Sequence, residues 1–135
     1  ERYQGLVRRY RDRLVFLGLL DDMQAMADFF AACDVLALTS DSECFALVQV
    51  EAMLCGTPVV MTDTPGGRVP VQVSGMGKLA PPGDYRAIGE AIVEVLKNPE
   101  AYRRPREVIE SLFSFEETVD RYERYFRENA VTRGG

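Results

Sequence analysis

The sequence predicts an α/β domain in which a parallel sheet of about four strands is flanked by helices. Short apolar runs alternate with segments of helical spacing along the 135 residues. The runs are apolar at every position rather than at alternate positions, which is typical of parallel strands buried on both faces. Glycine or proline separates most of them, as turns require. With 47% apolar and 27% charged residues, the composition excludes a wholly disordered chain.

Four apolar runs are predicted as strands, and a turn or loop signal follows each one. They are residues 14–18, 35–38, 58–61 and 77–80. Pro58 opens the third run, a position where a strand tolerates the missing N–H. Residues 69–74 fit neither a strand nor a helix clearly. The loops after the strands meet at one edge of a parallel sheet, where sites in such folds lie.

Helices are predicted between and after these strands. Asp21 or Asp22 caps the first of them, and residues 45–55 form a second helix that is apolar on nearly all sides. Asp84 caps an amphipathic third helix. Residues 114–117 (SFEE) form a capping box that opens the last helix.

Charge and residue usage exclude several classes of function. Between Asp21 and Glu100 the chain carries twelve acidic and only four basic residues, the reverse of the basic surface that nucleic-acid binding needs. No histidine is present, which excludes Ser-His-Asp and Cys-His catalysis. Cys33, Cys44 and Cys55 lack metal-ligand spacing, so we expect buried, reduced thiols and no zinc site. No apolar run reaches the ~18 residues that a membrane span needs.

Two glutamates stand out as candidates for chemistry. Glu43 ends the loop after the second predicted strand, and Glu51 lies within the apolar helix. Such a helix is buried, so the Glu51 carboxylate needs a hydrogen-bonding or charged partner. A neighbouring protein group could be that partner as readily as a ligand. Eight helical residues rise about 12 Å, comparable with the span from a sugar across a diphosphate to a ribose. Between the carboxylates lies the helix N-terminus, which favours an anion.

The residues around this pair resemble a known family. Residues 41–48 (DSECFALV), 51–53 (EAM) and 55–60 (CGTPVV) are similar to the donor-binding motif of retaining glycosyltransferases of the GT-B fold, family 4 (glycosyl transferases group 1). The likeness continues at residues 15–18, 34–35, 64–67 (TPGG), 81–84 (PPGD) and 114–115, so it covers nearly the whole chain. The E-x7-E pair alone is a weak pattern, but it is specific together with these segments. The resemblance implies a Rossmann-like sheet, the later part of a GT-B C-terminal domain.

The resemblance also implies a role for six residues. Glu43 would be the catalytic carboxylate that lies against the transferred sugar, and Glu51 would bind the ribose hydroxyls of the donor. Backbone N–H groups around four residues would contact the diphosphate and the sugar: Phe45, Ala46, Leu47 and Val48. The implied reaction moves a sugar from a nucleotide-diphosphate sugar to an acceptor with retention, and it uses no metal and no other cofactor.

The chain departs from the family pattern beside the phenylalanine and at residues 39–40, where Thr-Ser replaces the more usual Pro-Ser. The family often has glycine on both sides of the phenylalanine, where this chain has Cys44 and Ala46, and the added side chains narrow the approach of the backbone to a sugar. Arg68 is either a phosphate ligand or, as we favour, a solvated loop arginine. Lys78 is assigned to the surface.

Much of the family's architecture has no counterpart in these residues. From the resemblance we expect residues 1–135 to lack the N-terminal acceptor domain and the two strands that the family order places between residues 14–18 and 35–38. We therefore expect one partial nucleotide-sugar-binding domain over residues 1–135, inactive as a transferase on its own. Residues 14–18 are expected to pair beside residues 35–38 or with a second chain, an exchange that would give a homodimer. The apolar face of the last helix needs another cover.

Two other interpretations stay open. The chain could be a non-catalytic nucleotide-binding or self-association module, which transfer to any acceptor would exclude. It could also be a GT-B fold sugar-nucleotide epimerase, which would release free sugar without an acceptor. The charge distribution is compatible with a cytoplasmic enzyme that contacts a membrane peripherally. The sequence identifies neither the base and sugar of the donor nor the acceptor.

Overall fold

Three parallel strands form the sheet in the computed structural model, which describes residues 3–130. They are β1 (Leu36–Leu38), β2 (Val59–Thr62) and β3 (Gly77–Ala80), with β2 in the middle. Val59 is in register with Leu36 on one side and with Gly77 on the other. All four residues of β2 are buried, as expected for a run that is apolar throughout. The predicted α/β class with a parallel sheet is confirmed.

Helices precede and follow each strand of the sheet. The described helices are α1 (Gln4–Arg9), α2 (Met23–Ala32), α3 (Leu47–Leu54), α4 (Val69–Ser74), α5 (Tyr85–Lys97), α6 (Arg106–Leu112) and α7 (Phe115–Ala130), with one-turn 3-10 helices at Arg11–Arg13 and Pro99–Ala101. The predicted caps of two helices are present. Asp22 accepts a hydrogen bond from the Ala25 N–H at 2.7 Å, and Asp84 accepts from two N–H groups in the first turn of α5, each at 3.0 Å. The segment without a clear pattern, Val69–Ser74, is a helix.

The core lies on both faces of β2. Val59 and Met61 face a cluster built from α2, α3, α4 and α6, while Val60 faces α5. This is the alternation of side chains that a strand imposes. The ends of α2 and α3 are tied together, because the buried Thr57 hydroxyl donates to the carbonyl of Phe30 at 2.5 Å. The central strand is therefore held by packing on both faces, and the hydrogen bond of Thr57 adds a link at its amino end.

Residues 14–18 do not form the predicted strand. They are extended but unpaired, so the sheet has three strands rather than four, and the expected pairing beside residues 35–38 is wrong. Val15 is 82% exposed and Phe16 is 76% exposed. An apolar run becomes a strand only when a neighbouring strand can take its hydrogen bonds, and the described chain offers these residues none.

The last helix also keeps its apolar side in solvent. Phe115 is 80% exposed, and Tyr122, Tyr125 and Phe126 are each more than 60% exposed. Tyr122 and Phe126 stack on each other, with ring centroids 6.2 Å apart. Only half of the predicted capping box is present, because the Ser114 hydroxyl accepts from the Glu117 N–H at 3.2 Å while the Glu117 carboxylate pairs with Arg121.

Candidate functional site

The loops after β1 and β2 are in direct backbone contact at the carboxyl edge of the sheet. A Cβ added to Gly66 would overlap the carbonyl oxygen of Cys44 and would lie 2.6 Å from that of Glu43. A Cβ on Gly67 would overlap Met61 and would lie 3.2 Å from the Cβ of Glu43. Only glycine permits this approach, since any side chain would push the two loops apart. The TPGG turn therefore packs directly against Glu43.

Glu43 lies half-buried at this contact. Its Oε1 atom accepts a hydrogen bond from the N–H of Cys44 at 3.1 Å. The bond holds the carboxylate over its own backbone, at the mouth of the loop that leads into α3. The structure thus brings Glu43 to the edge of the sheet where the sequence predicted it.

The four residues with the predicted backbone contacts span the entry to α3, although the helix begins later than predicted. Phe45 and Ala46 precede it, and Leu47 and Val48 are its first two residues. Ala46 has a left-handed backbone with φ 55°, a conformation that glycine adopts far more readily than alanine. Phe45 is fixed from the other side, because its ring packs edge-on against Phe113 with centroids 6.0 Å apart.

The N-terminus of α3 is open to a ligand. No side chain in the described part of the chain caps it, and the first N–H groups of any α-helix lack an intrahelical acceptor. Leu47 is 68% exposed, so this end of the helix faces solvent. Unpaired N–H groups and the positive end of the helix dipole together favour an anion such as a phosphate.

Glu51 is exposed, which corrects the expectation of a buried glutamate in need of a partner. The helix α3 is buried on one side only, so its apolar composition overstated its burial. Because Glu43 lies outside the helix, only the four steps from Leu47 to Glu51 are helical, a rise of about 6 Å, which is half of the rise expected between the two carboxylates. Glu51 lines a cleft of about 400 Å³ between α2, α3 and α6. The other lining residues are Asp21, Asp22, Met23, Met26, Ala27, Phe30, Leu54, Cys55 and Arg106.

The three basic residues near these features are each engaged with a carboxylate. Arg106 pairs with Glu110 at 2.7 Å, and this hydrogen bond raises the pKa of the arginine. Arg68 is not the solvated arginine that we favoured: it is half-buried, with Nε 2.7 Å from the Asp63 carboxylate and a guanidinium N–H donated to the Asp63 carbonyl at 3.3 Å. Lys78 pairs with Glu94 on the outer side of the sheet.

Gln49 is the polar residue of this region that sequence reasoning missed. It is fully buried, and its Nε2 group donates to the carbonyl of Gly67 at 2.8 Å. Its Oε1 atom has no hydrogen-bond partner among residues 3–130, a condition that costs about 1–3 kcal/mol. The available signal is a second polar residue, besides Glu51, in the otherwise apolar run 45–55.

The three cysteines differ in burial. All three cysteines are free; Cys33 and Cys55 are half-buried, but Cys44 is exposed, so the prediction of burial was wrong there. Residues 3–130 contain no group of three or more acidic, cysteine or histidine side chains that could hold a metal ion. Within the same residues, no helix is long and apolar enough to cross a bilayer.

Comparison with known proteins places these features in a family. The sequence profile described as glycosyl transferases group 1 matches residues 4–111. The chain is 34% identical over 116 residues to N-acetyl-alpha-D-glucosaminyl L-malate synthase of Bacillus anthracis, covering 83% of this chain and 30% of that protein. It is 38% identical over 94 residues to phosphatidyl-myo-inositol mannosyltransferase of Mycobacterium leprae, covering 70% and 24%.

A solved structure shares the fold over nearly the whole chain. Sucrose-phosphate synthase from Thermosynechococcus elongatus superposes with a TM-score of 0.78 at 33% identity, over 97% of this chain and 34% of that one. The chain therefore spans about a quarter to a third of the length of these relatives.

Proposed function

Because the chain belongs to the glycosyl transferases group 1 family, we propose that it is the donor-binding part of a glycosyltransferase that uses a nucleotide-diphosphate sugar and retains anomeric configuration. One observation carries the proposal. Glu43 stands at the TPGG turn before the uncapped N-terminus of α3, and Glu51 lies about one turn into the same helix, in the open cleft. A donor laid along this edge would meet a carboxylate at each end and N–H groups between them.

Each end of the site has a distinct task in this proposal. Glu51 accepts hydrogen bonds from the ribose hydroxyls, which suits an exposed carboxylate beside a cleft with an apolar floor. Glu43 lies against the transferred sugar near the anomeric carbon, where a carboxylate stabilises developing positive charge. The backbone N–H groups from Phe45 to Val48 contact the diphosphate and the sugar hydroxyls.

The same N–H groups would assist the chemical step. The bond from the anomeric carbon to the diphosphate breaks while the acceptor oxygen bonds to that carbon on the same face, and the acceptor proton passes to the leaving diphosphate. A helix N-terminus stabilises the charge that grows on the diphosphate. We therefore assign no metal to the step.

We further propose that the chain alone does not transfer sugar. It spans 30% of one curated relative and 24% of another.

We also propose that two copies of the chain form a homodimer by exchanging residues 14–18. The exposure of Val15 and Phe16 supports this exchange, and sedimentation at two protein concentrations tests it. The proposed location is cytoplasmic with peripheral membrane contact, which the arginine-rich ends of the chain favour.

Ligand-observed NMR of the chain with UDP, GDP and ADP tests the donor role. We expect one nucleotide to bind to the wild type and to be lost in Glu51→Ala and in Glu51→Gln, because both variants remove the charged acceptor. Glu90→Ala is the matched control, since Glu90 is equally an exposed glutamate on a helix but lies outside the cleft.

The outcomes separate the competing interpretations. Failure of a folded wild-type chain to bind any of the three nucleotides contradicts the proposal, and so does binding that survives in Glu51→Ala. Binding without transfer to any acceptor by the full-length protein supports a nucleotide-binding module instead. Release of free sugar from the donor in the absence of an acceptor supports an epimerase.

A further inference from the structure

A buried glutamine ties α3 to the turn after β2. The Nε2 group of Gln49 donates to the carbonyl oxygens of Gly67, at 2.8 Å, and of Phe45, at 3.4 Å. Both partners are acceptors, so the amide has one favourable orientation, because a flipped amide would set Oε1 against two carbonyl oxygens. The Gln49 side chain therefore links α3 to the Gly66–Gly67 turn by a hydrogen bond.

The Gly66–Gly67 turn, to which Gln49 is hydrogen-bonded, also packs against Glu43. A Cβ at Gly66 would overlap the Cys44 carbonyl oxygen, and a Cβ at Gly67 would lie 3.2 Å from that of Glu43. Contact this close leaves little room for the two loops to move independently. Any shift of the Gly67 carbonyl away from Gln49 therefore moves the turn that packs against Glu43.

Stability alone does not explain a glutamine at this position. Its Oε1 atom is buried without a partner among the described residues, as is the Thr64 hydroxyl of the same turn. A methionine has nearly the same length and volume and would remove the unsatisfied Oε1, but it would leave the buried carbonyl of Gly67 without its donor. Each side chain leaves one buried oxygen unpaired, so what glutamine adds is the link between the helix and the turn rather than stability.

We propose that Gln49 is a positioning residue that holds the Gly66–Gly67 turn against Glu43 and thereby sets the placement of the Glu43 carboxylate toward the donor sugar. The inference rests on the function proposed above. Gln49 does not line the cleft beside Glu51, so its effect falls on the sugar end of the donor and leaves the nucleotide end unchanged.

The first test needs no ligand. In a ¹⁵N-labelled Gln49→Met variant, the amide signals of Glu43, Cys44, Gly66 and Gly67 shift, while the signals of residues away from α3 and this turn stay in place. Gln72→Met is the matched control, because Gln72 is exposed on α4, and it leaves those four signals in place. Unchanged signals at Glu43 and Cys44 in Gln49→Met overturn the proposal, as does a fall in melting temperature with shifts spread across the chain.

The second test separates the two ends of the donor. For wild type and Gln49→Met we compare the dissociation constants of UDP with UDP-glucose, GDP with GDP-mannose, and ADP with ADP-glucose. We expect the free nucleotide to bind within about twofold of the wild type, whereas the preference for the sugar nucleotide falls about tenfold. An unchanged preference overturns the role of Gln49. If no probe binds to the wild type, the proposed function fails, and the amide signals still decide whether Gln49 positions Glu43.

Discussion

Two apolar stretches of similar composition have opposite fates in this chain. Residues 58–62 (PVVMT) include β2 and are buried throughout, whereas residues 14–19 (LVFLGL) are more apolar and yet lie in solvent, with Leu19 87% exposed. The buried stretch has a parallel strand on each side and helices on both faces. The exposed stretch has neither. Burial is therefore set by the partners that the fold supplies and not by the apolarity of the run itself.

A pair of matched phenylalanine substitutions tests this contrast with the largest expected effect. Phe30 is 3% exposed in the core, and Phe16 is 76% exposed. We expect Phe30→Ala to lower the free energy of unfolding by about 3–5 kcal/mol, and Phe16→Ala to change that of the monomer by less than about 0.5 kcal/mol. Urea unfolding followed by circular dichroism measures both.

The same pair also tests strand exchange. If two copies cover residues 14–18 for each other, Phe16→Ala becomes destabilising, and its effect grows with protein concentration. A concentration-independent loss in Phe16→Ala would instead mean that these residues pack within a single chain, contrary to the structure.

Glycine substitutions extend the contrast to the backbone. A Cβ at Gly66 would overlap the Cys44 carbonyl, whereas a Cβ at Gly89, in the middle of α5, would meet nothing within 4 Å. Gly66→Ala is expected to destabilise the fold by about 2–3 kcal/mol. Gly89→Ala is expected to stabilise it by about 0.5–1 kcal/mol, because alanine has the higher helix propensity. Equal effects at the two positions would contradict the close contact of the loops.

The parts of the fold that depend on local sequence were predictable. Gly77–Ala80 was predicted as a strand with the bounds that the structure has, and the caps at Asp22 and Asp84 follow from residue type and position. The run at residues 14–18 has an equally strong local pattern but failed, because pairing depends on strands that no local pattern supplies. Residues 69–74 form a helix through tertiary contacts that override their weak propensity.

The candidate site also has features that could be predicted from the sequence and features that could not. The loop that carries Glu43 and the helix that carries Glu51 could be located from the sequence, since sites in parallel sheets lie at the carboxyl edge. The exposure of Glu51 could not, because a composition that is apolar all round does not say which side of a helix finds a neighbour. Nor could the hydrogen bond from Gln49 to Gly67, which joins residues 18 positions apart.

Left-handed residues in the two regions offer a finer comparison. Ala46 has φ 55° at the packed entry to α3, and Gly18 has φ 75° in the exposed stretch. We expect Ala46→Gly to raise the free energy of unfolding by about 1 kcal/mol, because it removes strain that the surroundings impose. Gly18→Ala has a smaller effect than this, since a backbone without packing partners can relax. Thermal unfolding of both variants checks the comparison, and a loss of stability in Ala46→Gly would contradict the strain.

The smallest expected effect is the pH dependence of the Lys78–Glu94–Tyr102 cluster at the rim of the packed region. Hydrogen bonds from Lys78 and from the Tyr102 hydroxyl lower the pKa of the Glu94 carboxyl below its ordinary 4.5. A carboxyl whose pKa is lowered by folding stabilises the folded state above its unfolded pKa, and this contribution disappears as the pH falls through the folded value. The melting temperature of Lys78→Met should therefore lie about a degree or two below that of the wild type at pH 7. The gap should close below about pH 4.5, as Glu94 is protonated. A gap that is constant from pH 7 to pH 3 would mean that Lys78 contributes through the packing of its alkyl chain rather than through its charge.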